Sequence, residues 1–189
     1  MPDDSSDKIF SKMPSRGDIV ITKSAHDMSL RFIKRVIGLP GDKLEIINDV
    51  IHINDIAIDR VELGAVTFEN GVKYTKFLET LPNGAKYNSY KLQYLPLISE
   101  EDYSNFGPYF IPDGHFFMMG DNRDESGDSR AQLGFIPSNF IIAKAHFVLI
   151  STKDRLWDSK AGFIQQILRI GTWFKGIRYG RTFHGLYQK

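Results

Sequence analysis

Residues 120–130 constrain this chain more than any other segment, because they place six charged side chains in eleven positions directly after an apolar run. The run, residues 116–119, reads Phe-Phe-Met-Met and predicts a buried strand. Charged surface loops are common, but a loop that mixes Asp, Arg and Ser at close spacing behind a strand is typical of a preorganised hydrogen-bonding cluster. The segment therefore predicts a tight functional loop, and Gly120 at its start is expected to supply the backbone freedom that such a loop requires.

Short apolar stretches separated by turn residues recur along the chain and predict a mainly β fold. The predicted strands cover residues 18–21, 28–37, 44–47, 50–53, 56–58, 115–119 and 140–150. Residues 38–42 read Gly-Leu-Pro-Gly-Asp and predict a turn, because Pro presets φ and Gly permits a positive φ. Only one helix is predicted, near the C-terminus.

The pattern divides the chain into a core, an insertion and two terminal segments. Residues 1–15 are polar and predict a flexible lead, while residues 16–60 and 110–152 predict a β core that carries the chemistry. Residues 61–109 hold nine aromatic side chains among Gly, Asn and Pro, which predicts an inserted β-rich lobe of short strands and long loops. Residues 159–189 predict a basic amphipathic tail.

Apolar residues in this tail recur at helical spacing between Phe163 and Ile177, and no acidic residue follows Asp158. Two placements stay open for such a helix. It can dock on the sheet, or it can lie on an anionic membrane surface with its basic face toward the headgroups. The printed sequence contains no run of about 20 apolar residues, so it predicts no transmembrane helix.

Composition narrows the classes of function. The formal net charge of +1 argues against a dedicated nucleic-acid binder. The absence of cysteine from the sequence excludes a disulfide framework, a thiolate zinc site and a cysteine nucleophile. The five histidines lack the spacing of a metal site, so no metal and no cofactor is expected. The oligomeric state is left open.

Lys34 is the central candidate for chemistry, because it lies inside the apolar strand pattern of residues 28–37. One interpretation is a surface lysine whose aliphatic stem covers apolar side chains. The other is a desolvated general base. A free lysine has a pKa of about 10.4, and burial lowers that pKa because it disfavours the ammonium. The neutral amine can then take a proton from a serine hydroxyl.

A neutral amine must also be oriented, and Ser126 suits that role because its hydroxyl bonds an amine without adding charge. A carboxylate in direct contact would hold the proton on the lysine. Asp128 is therefore expected one layer further out, paired with Arg130 or Arg35 and fixing the loop of Ser126.

Three segments, residues 16–21, 33–42 and 120–130, resemble in order and wording three signature boxes of the bacterial type I signal peptidases, which are S26-type Ser-Lys endopeptidases. The resemblance is close over residues 16–53 and 110–146 and weak over the lobe between them. It implies a signal-peptidase-like catalytic β fold and the removal of N-terminal signal peptides from secretory preproteins. It also implies residence at the cytoplasmic (inner) membrane, with the catalytic domain on the periplasmic side.

The same resemblance implies residue roles. Lys34 is the implied general base and Ser126 the residue that orients it. Asp128, Arg130 and Arg35 are the implied salt-bridge cluster that supports them.

Phe32 and Ile33 match positions that help line small apolar pockets for the residues before the cleavage site. An extended signal peptide is expected to pair with an exposed strand there.

One signature box of the family has no match in this sequence. The nucleophilic serine of the family lies in a Gly-Ser-Met-x-Pro-Thr-Leu type segment ahead of the Arg-Gly-Asp box, and Ser15, in Met13-Pro14-Ser15, is not expected to replace it. The nucleophile is thus unassigned. Truncation of the sequence is the favoured explanation, and residues 1–189 alone are then expected to be inactive. An inactive signal-peptide-binding relative and a split enzyme that receives its serine from another chain are the alternatives.

Overall fold

The computed structural model describes residues 13–24, 27–94, 103–131 and 133–148, together with a short strand at 184–185. These residues are mainly β, which confirms the predicted fold class. Their only helical element is a 3₁₀ turn, Ser138–Phe140. The predicted C-terminal helix and most of the predicted flexible lead lie outside the described residues.

The strands follow one another with short connections. In chain order they are β1 Ile19–Lys23, β2 Arg31–Gly38, β3 Lys43–Ile47, β4 Val50–Ile53, β5 Ile56–Ala57, β6 Asp59–Thr67, β7 Lys73–Thr80, β8 Lys86–Leu92, β9 Phe106–Phe110, β10 His115–Met119, β11 Ile136–Pro137, β12 Ile141–Lys144, β13 Phe147–Val148 and β14 His184–Gly185. Strands β4 and β10 coincide with the predicted ones.

A five-stranded antiparallel sheet, in the order β11-β10-β2-β1-β12, forms the centre of the fold. Its strand β10 alternates between two apolar clusters, because successive side chains of a strand point to opposite faces. Phe117 and Met119 pack with Ile37 in one cluster, whereas Phe116 and Met118 pack with Val36 in the other. The sheet is therefore covered by apolar side chains on both faces where β10 and β2 pair.

A four-stranded sheet, in the order β5-β4-β3-β9, supplies much of the first cluster. The β3–β4 hairpin turns at Asn48 and Asp49, whose φ angles are both positive. Strand β9 pairs with β3, with Leu44 opposite Tyr109. Residues 106–109 thus join a core sheet, although the sequence pattern assigned them to the inserted lobe.

The inserted lobe consists of a three-stranded antiparallel sheet in the order β6-β7-β8. Its strands are nine, eight and seven residues long, so the expected short strands and long loops are not found there. Gly64 does not end β6 but lies at a register shift between Glu62 and Gly64. The lobe joins the charged loop of residues 120–130 through a parallel bridge between Tyr90 and Asn122.

The predicted strand at residues 140–150 is interrupted. Strand β12 ends at Lys144, and residues 147–148 belong to a separate unit in which β13 pairs with β14. Across the part of the chain that the structure describes, we find no helix with both the length and the apolar character needed to cross a membrane.

Candidate active site

Lys34 and Ser126, separated by 92 residues in sequence, meet at the end of the central sheet. The Nζ atom of Lys34 donates a hydrogen bond of 2.6 Å to Ser126 Oγ. Strand β2 aims Lys34 to the same face as Phe32, and Nζ lies 5.7 Å from the centroid of the Phe32 ring. The structure therefore brings together the two residues predicted to be the base and its orienting hydroxyl.

The surroundings of Lys34 favour the neutral amine. The side chain is half-buried, and this burial lowers the pKa of Lys34 below that of a free lysine. The charge of Asp128 acts in the opposite direction, and that of Arg130 again lowers the pKa. Burial is the largest of these effects, so the net shift of the pKa is downward. A lowered pKa is what a lysine needs to act as a base closer to neutral pH.

Asp128 and Arg130 form a buried bidentate pair beneath this contact. Arg130 Nε donates to Asp128 Oδ1 at 3.0 Å, and Nη2 donates to Oδ2 at 2.8 Å. Asp128 Oδ2 also accepts from the main-chain N–H of Gly120 at 2.9 Å. Asp128 is fully buried and Arg130 is nearly so. The pair thus closes the loop of residues 120–130 on itself and fixes the backbone on both sides of Ser126.

We predict that Asp128→Asn destabilises the protein by about 3–5 kcal/mol, because it leaves the buried Arg130 guanidinium without its counter-charge. Urea denaturation measures this loss. The exposed pair between Lys43 Nζ and Asp55 Oδ1 provides the control, since Asp55→Asn is expected to change the free energy of unfolding little. Equal effects of the two substitutions would contradict the assigned importance of the Asp128–Arg130 pair.

Arg35 belongs to a different pair from the one expected. Its Nε and Nη2 atoms donate to Asp121 at 2.8 and 2.7 Å, and its Nη1 donates to the carbonyl of Gly17 at 2.8 Å. The guanidinium also lies 4.4 Å from the centroid of the Tyr87 ring. Adjacent residues of a strand point to opposite faces, so Arg35 is directed away from the Lys34 face, on which Asp128 acts. The expected single cluster is therefore two separate ion pairs.

A glycine is needed at residue 120 because Ser126 approaches it closely, and not because the backbone needs a positive φ there. Its φ lies outside the left-handed region that favours glycine. A Cβ atom at this position would lie 2.1 Å from Ser126 Oγ and 2.5 Å from Ser126 Cβ. The hydroxyl that contacts Lys34 thus occupies the space that any side chain at residue 120 would need.

A comparison with protein families identifies the chain. The family model described as signal peptidase, peptidase S26, matches residues 6–150. The chain belongs to the S26 signal peptidase family. This confirms the resemblance found in the sequence.

Relatives in Rickettsia carry the same family name. Signal peptidase I of Rickettsia typhi is 50% identical over 181 residues, which are 95% of this chain and 69% of that protein. Signal peptidase I of Rickettsia massiliae is 49% identical over 95% of this chain and 68% of its own length. A crystal structure of a signal peptidase I from Enterococcus faecalis V583 is 26% identical, covers 71% of this chain and 97% of that one, and gives a TM-score of 0.43.

The predicted substrate-contacting residues of this S26 family member differ in exposure. Phe32 is half-buried against the cluster that contains Val20 and Val36, whereas Ile33 is 66% exposed. Strand β10 pairs with β2 only from Arg35 onward. The side chain of Ile33 is exposed on the face of β2 opposite to Phe32 and Lys34. The role of Phe32 and Ile33 in binding peptide stays a prediction.

Asp121 is a site residue that the sequence pattern did not single out. Its bidentate contact with Arg35 anchors the first turn of the charged loop to β2. The only signal was its position inside the charged segment, where several carboxylates were equally good partners for an arginine.

Proposed function

We propose that this chain is the catalytic part of a signal peptidase I, a serine endopeptidase that removes N-terminal signal peptides from secretory preproteins. The observation that carries the proposal is the 2.6 Å contact between Lys34 Nζ and Ser126 Oγ, made by a lysine whose pKa is lowered by burial. Membership of the S26 family supplies the substrate class. The reaction is placed at the outer face of the cytoplasmic membrane, as the family resemblance implies.

In this proposal Lys34 is the general base. Neutral Nζ takes the proton from a serine hydroxyl while the serine Oγ attacks the scissile carbonyl carbon. The resulting ammonium delivers that proton to the leaving amine, which is the new N-terminus of the secreted protein. Lys34 then deprotonates a water molecule, which attacks the ester. The ammonium returns this proton to the departing serine Oγ, and the signal peptide leaves with a new C-terminal carboxyl group. The attacking serine is not assigned, because the serine segment of the family has no match in this sequence.

Ser126, Asp128, Arg130 and Arg35 are the proposed support of this base. The Ser126 hydroxyl orients the amine without contributing a charge that would hold its proton. Asp128 with Arg130, and Asp121 with Arg35, fix the loop that carries Ser126.

The proposed binding surface is the start of β2. Phe32 and Ile33 flank the substrate there, and residues 31–34 are not paired with β10. An extended peptide can add to such a strand through its main chain, and small pockets then select small side chains before the cleavage site.

Incubation of the protein purified from its own cells with a secretory preprotein tests this function. We expect one cleavage, located by sequencing the N-terminus of the product, directly after a small residue. Replacement of that residue by Phe in the preprotein is expected to abolish cleavage, because a large ring does not fit a small pocket. Binding of the preprotein without cleavage would instead support the inactive signal-peptide-binding alternative.

A further inference from the structure

Glu79, on β7 of the inserted lobe, is a fully buried carboxylate that the mechanism above does not use. It accepts hydrogen bonds from Tyr87 Oη at 2.6 Å and from Ser89 Oγ at 2.8 Å. Its third partner is Arg123, whose Nη2 donates to Glu79 Oε2. Arg123 lies in the charged loop, so this ion pair links the inserted lobe to the segment that carries Ser126.

Arg123 is also held through its backbone. Its N–H donates to the carbonyl of Tyr90 on β8 at 2.8 Å, and its own carbonyl accepts from Arg130 Nη2 at 2.6 Å. Arg130 is in turn the partner of Asp128. Ser126 therefore lies between two residues held by buried contacts, Arg123 before it and Asp128 after it. Arg123 is bound to the inserted sheet through Tyr90 and Glu79.

The environment keeps Glu79 charged. Burial by itself would raise the pKa of Glu79, but the guanidinium of Arg123 and the hydroxyls of Tyr87 and Ser89 more than offset this, so the pKa is lowered. Burial by itself would lower the pKa of Arg123, but the attraction of Glu79, its hydrogen bond and the interactions with Tyr87 and Asp121 together more than offset this, so the pKa is raised. A charged, buried and directional pair is geometrically demanding, since each partner has few acceptable positions.

We propose that Glu79 is a positioning residue for the reaction, which holds Arg123 and thereby keeps Ser126 against Lys34. The inference deepens the proposed function and rests on it. The inserted sheet then has a part in the site, because its contacts with Arg123 hold the loop that carries Ser126 in place. A second arginine also lies near this carboxylate: the Nε atom of Arg60 is 3.5 Å from Glu79 Oε1.

The first test is Glu79→Gln, which preserves shape and removes the charge. Loosening of the loop admits water to Lys34 and relieves its desolvation, so we expect the pKa of Lys34 to rise toward the free value. The charges that face Lys34, those of Asp128 and Arg130, are unchanged by the substitution. NMR titration of the lysine amines measures this pKa. The neutral amine is the form that reacts with an acylating reagent. At a fixed pH, labelling of Lys34 is therefore expected to fall about tenfold for each unit by which its pKa rises.

Asp42→Asn is the matched control. Asp42 is another buried carboxylate, paired with Arg16 at 2.9 Å, and it contacts neither Lys34 nor the charged loop in the described structure. Its replacement is expected to lower stability while leaving the pKa of Lys34 unchanged. An equal rise of that pKa in both variants would overturn the proposal, because it would reflect general loosening.

A second variant keeps the proposal testable if Glu79→Gln does not fold. The combined substitution Glu79→Met, Arg123→Met, Tyr87→Phe and Ser89→Ala replaces the ion pair and the two hydroxyls that donate to Glu79 by apolar groups, an exchange that buried pairs often tolerate without loss of stability. Amide hydrogen exchange at residues 120 and 123 is then compared with the parent protein. We expect faster exchange and a higher pKa of Lys34 at retained stability. A stable combined variant with both quantities unchanged would show that Glu79 has no positioning role.

Failure of this inference is distinguishable from failure of the proposed function. If Lys34 of the parent protein already has the pKa of a free lysine, the proposed base is wrong, and the exchange rates at residues 120 and 123 alone decide the role of Glu79. If the pKa of Lys34 is lowered but does not respond to either variant, the base stands and the positioning role is refuted.

Discussion

Replacement of Lys34 by Met will reduce cleavage of a secretory preprotein by about 10²–10⁴-fold, the range that loss of a general base produces. Met preserves the length and apolar contacts of the side chain, so the contact with Phe32 is retained while the proton acceptor is lost. The assay is the rate of appearance of the mature N-terminus, measured with the complete protein as its own cells make it. Activity of the parent protein is expected to fall as pH drops through the pKa of Lys34, because the ammonium cannot accept a proton.

Two further variants distinguish a role of Lys34 as a proton acceptor from a role of its positive charge. Lys34→Arg retains the positive charge but cannot deprotonate, so it is expected to be as inactive as Lys34→Met. Lys144→Met removes a lysine of the same sheet that pairs with Asp18 at 2.6 Å, and it is expected to retain cleavage. Substantial activity of Lys34→Arg would mean that Lys34 acts through its charge and is not the base.

Replacement of Gly120 by Ala has the second largest expected effect. The added Cβ atom would lie 2.1 Å from Ser126 Oγ, so the hydroxyl must move away from Lys34 Nζ. We expect a loss of at least about 100-fold in the rate of cleavage, since displacement of a positioned catalytic contact by about 1 Å can cost that much. The substitution should act mainly on the maximal rate, because Gly120 is not among the proposed peptide-binding residues.

Gly114→Ala is the control for this substitution. Gly114 has a φ of +71°, and a Cβ atom added there would meet nothing within 4 Å, so alanine strains the backbone without touching the site. Its expected cost is about 1–2 kcal/mol of stability with cleavage unchanged. If Gly120→Ala retained full activity, the contact between Ser126 and Lys34 would not be needed for the reaction.

The chemistry of the site was more predictable from the sequence than the pairing of its charged side chains. The apolar pattern around Lys34 left a surface lysine and a desolvated base as alternatives, and the family resemblance implied the base with Ser126 as its partner. Of the two arginines expected as possible partners of Asp128, Arg130 forms the pair and Arg35 binds Asp121 instead. The alternation of side chains along β2 directs Arg35 away from Lys34, where Asp121 is within its reach.

Glycine and proline account for two further differences between pattern and fold. The glycines of residues 61–109 contributed to the expectation of short strands, but Gly64 lies at a register irregularity within the nine-residue strand β6. Gly107 and Pro108 likewise obscured β9, which tolerates proline because it is the edge strand of its sheet. Local residue preferences therefore divided long strands into short ones.

The Glu79–Arg123 pair gave no signal in the sequence. It joins residues 44 positions apart through the register of an inserted sheet, and a strand glutamate is ordinarily a solvent-facing residue. Only the pairing of β7 with β8, and of Tyr90 with Asn122, brings this carboxylate under the charged loop.

The pKa of the Lys34 amine is the most direct test of the proposed mechanism. It is measured by NMR titration of lysine-labelled protein, with the Lys34 resonance assigned through Lys34→Arg. We expect a pKa below the value of about 10.4 for a free lysine, because burial disfavours the ammonium. A pKa at or above that value would contradict the assignment of Lys34 as the general base.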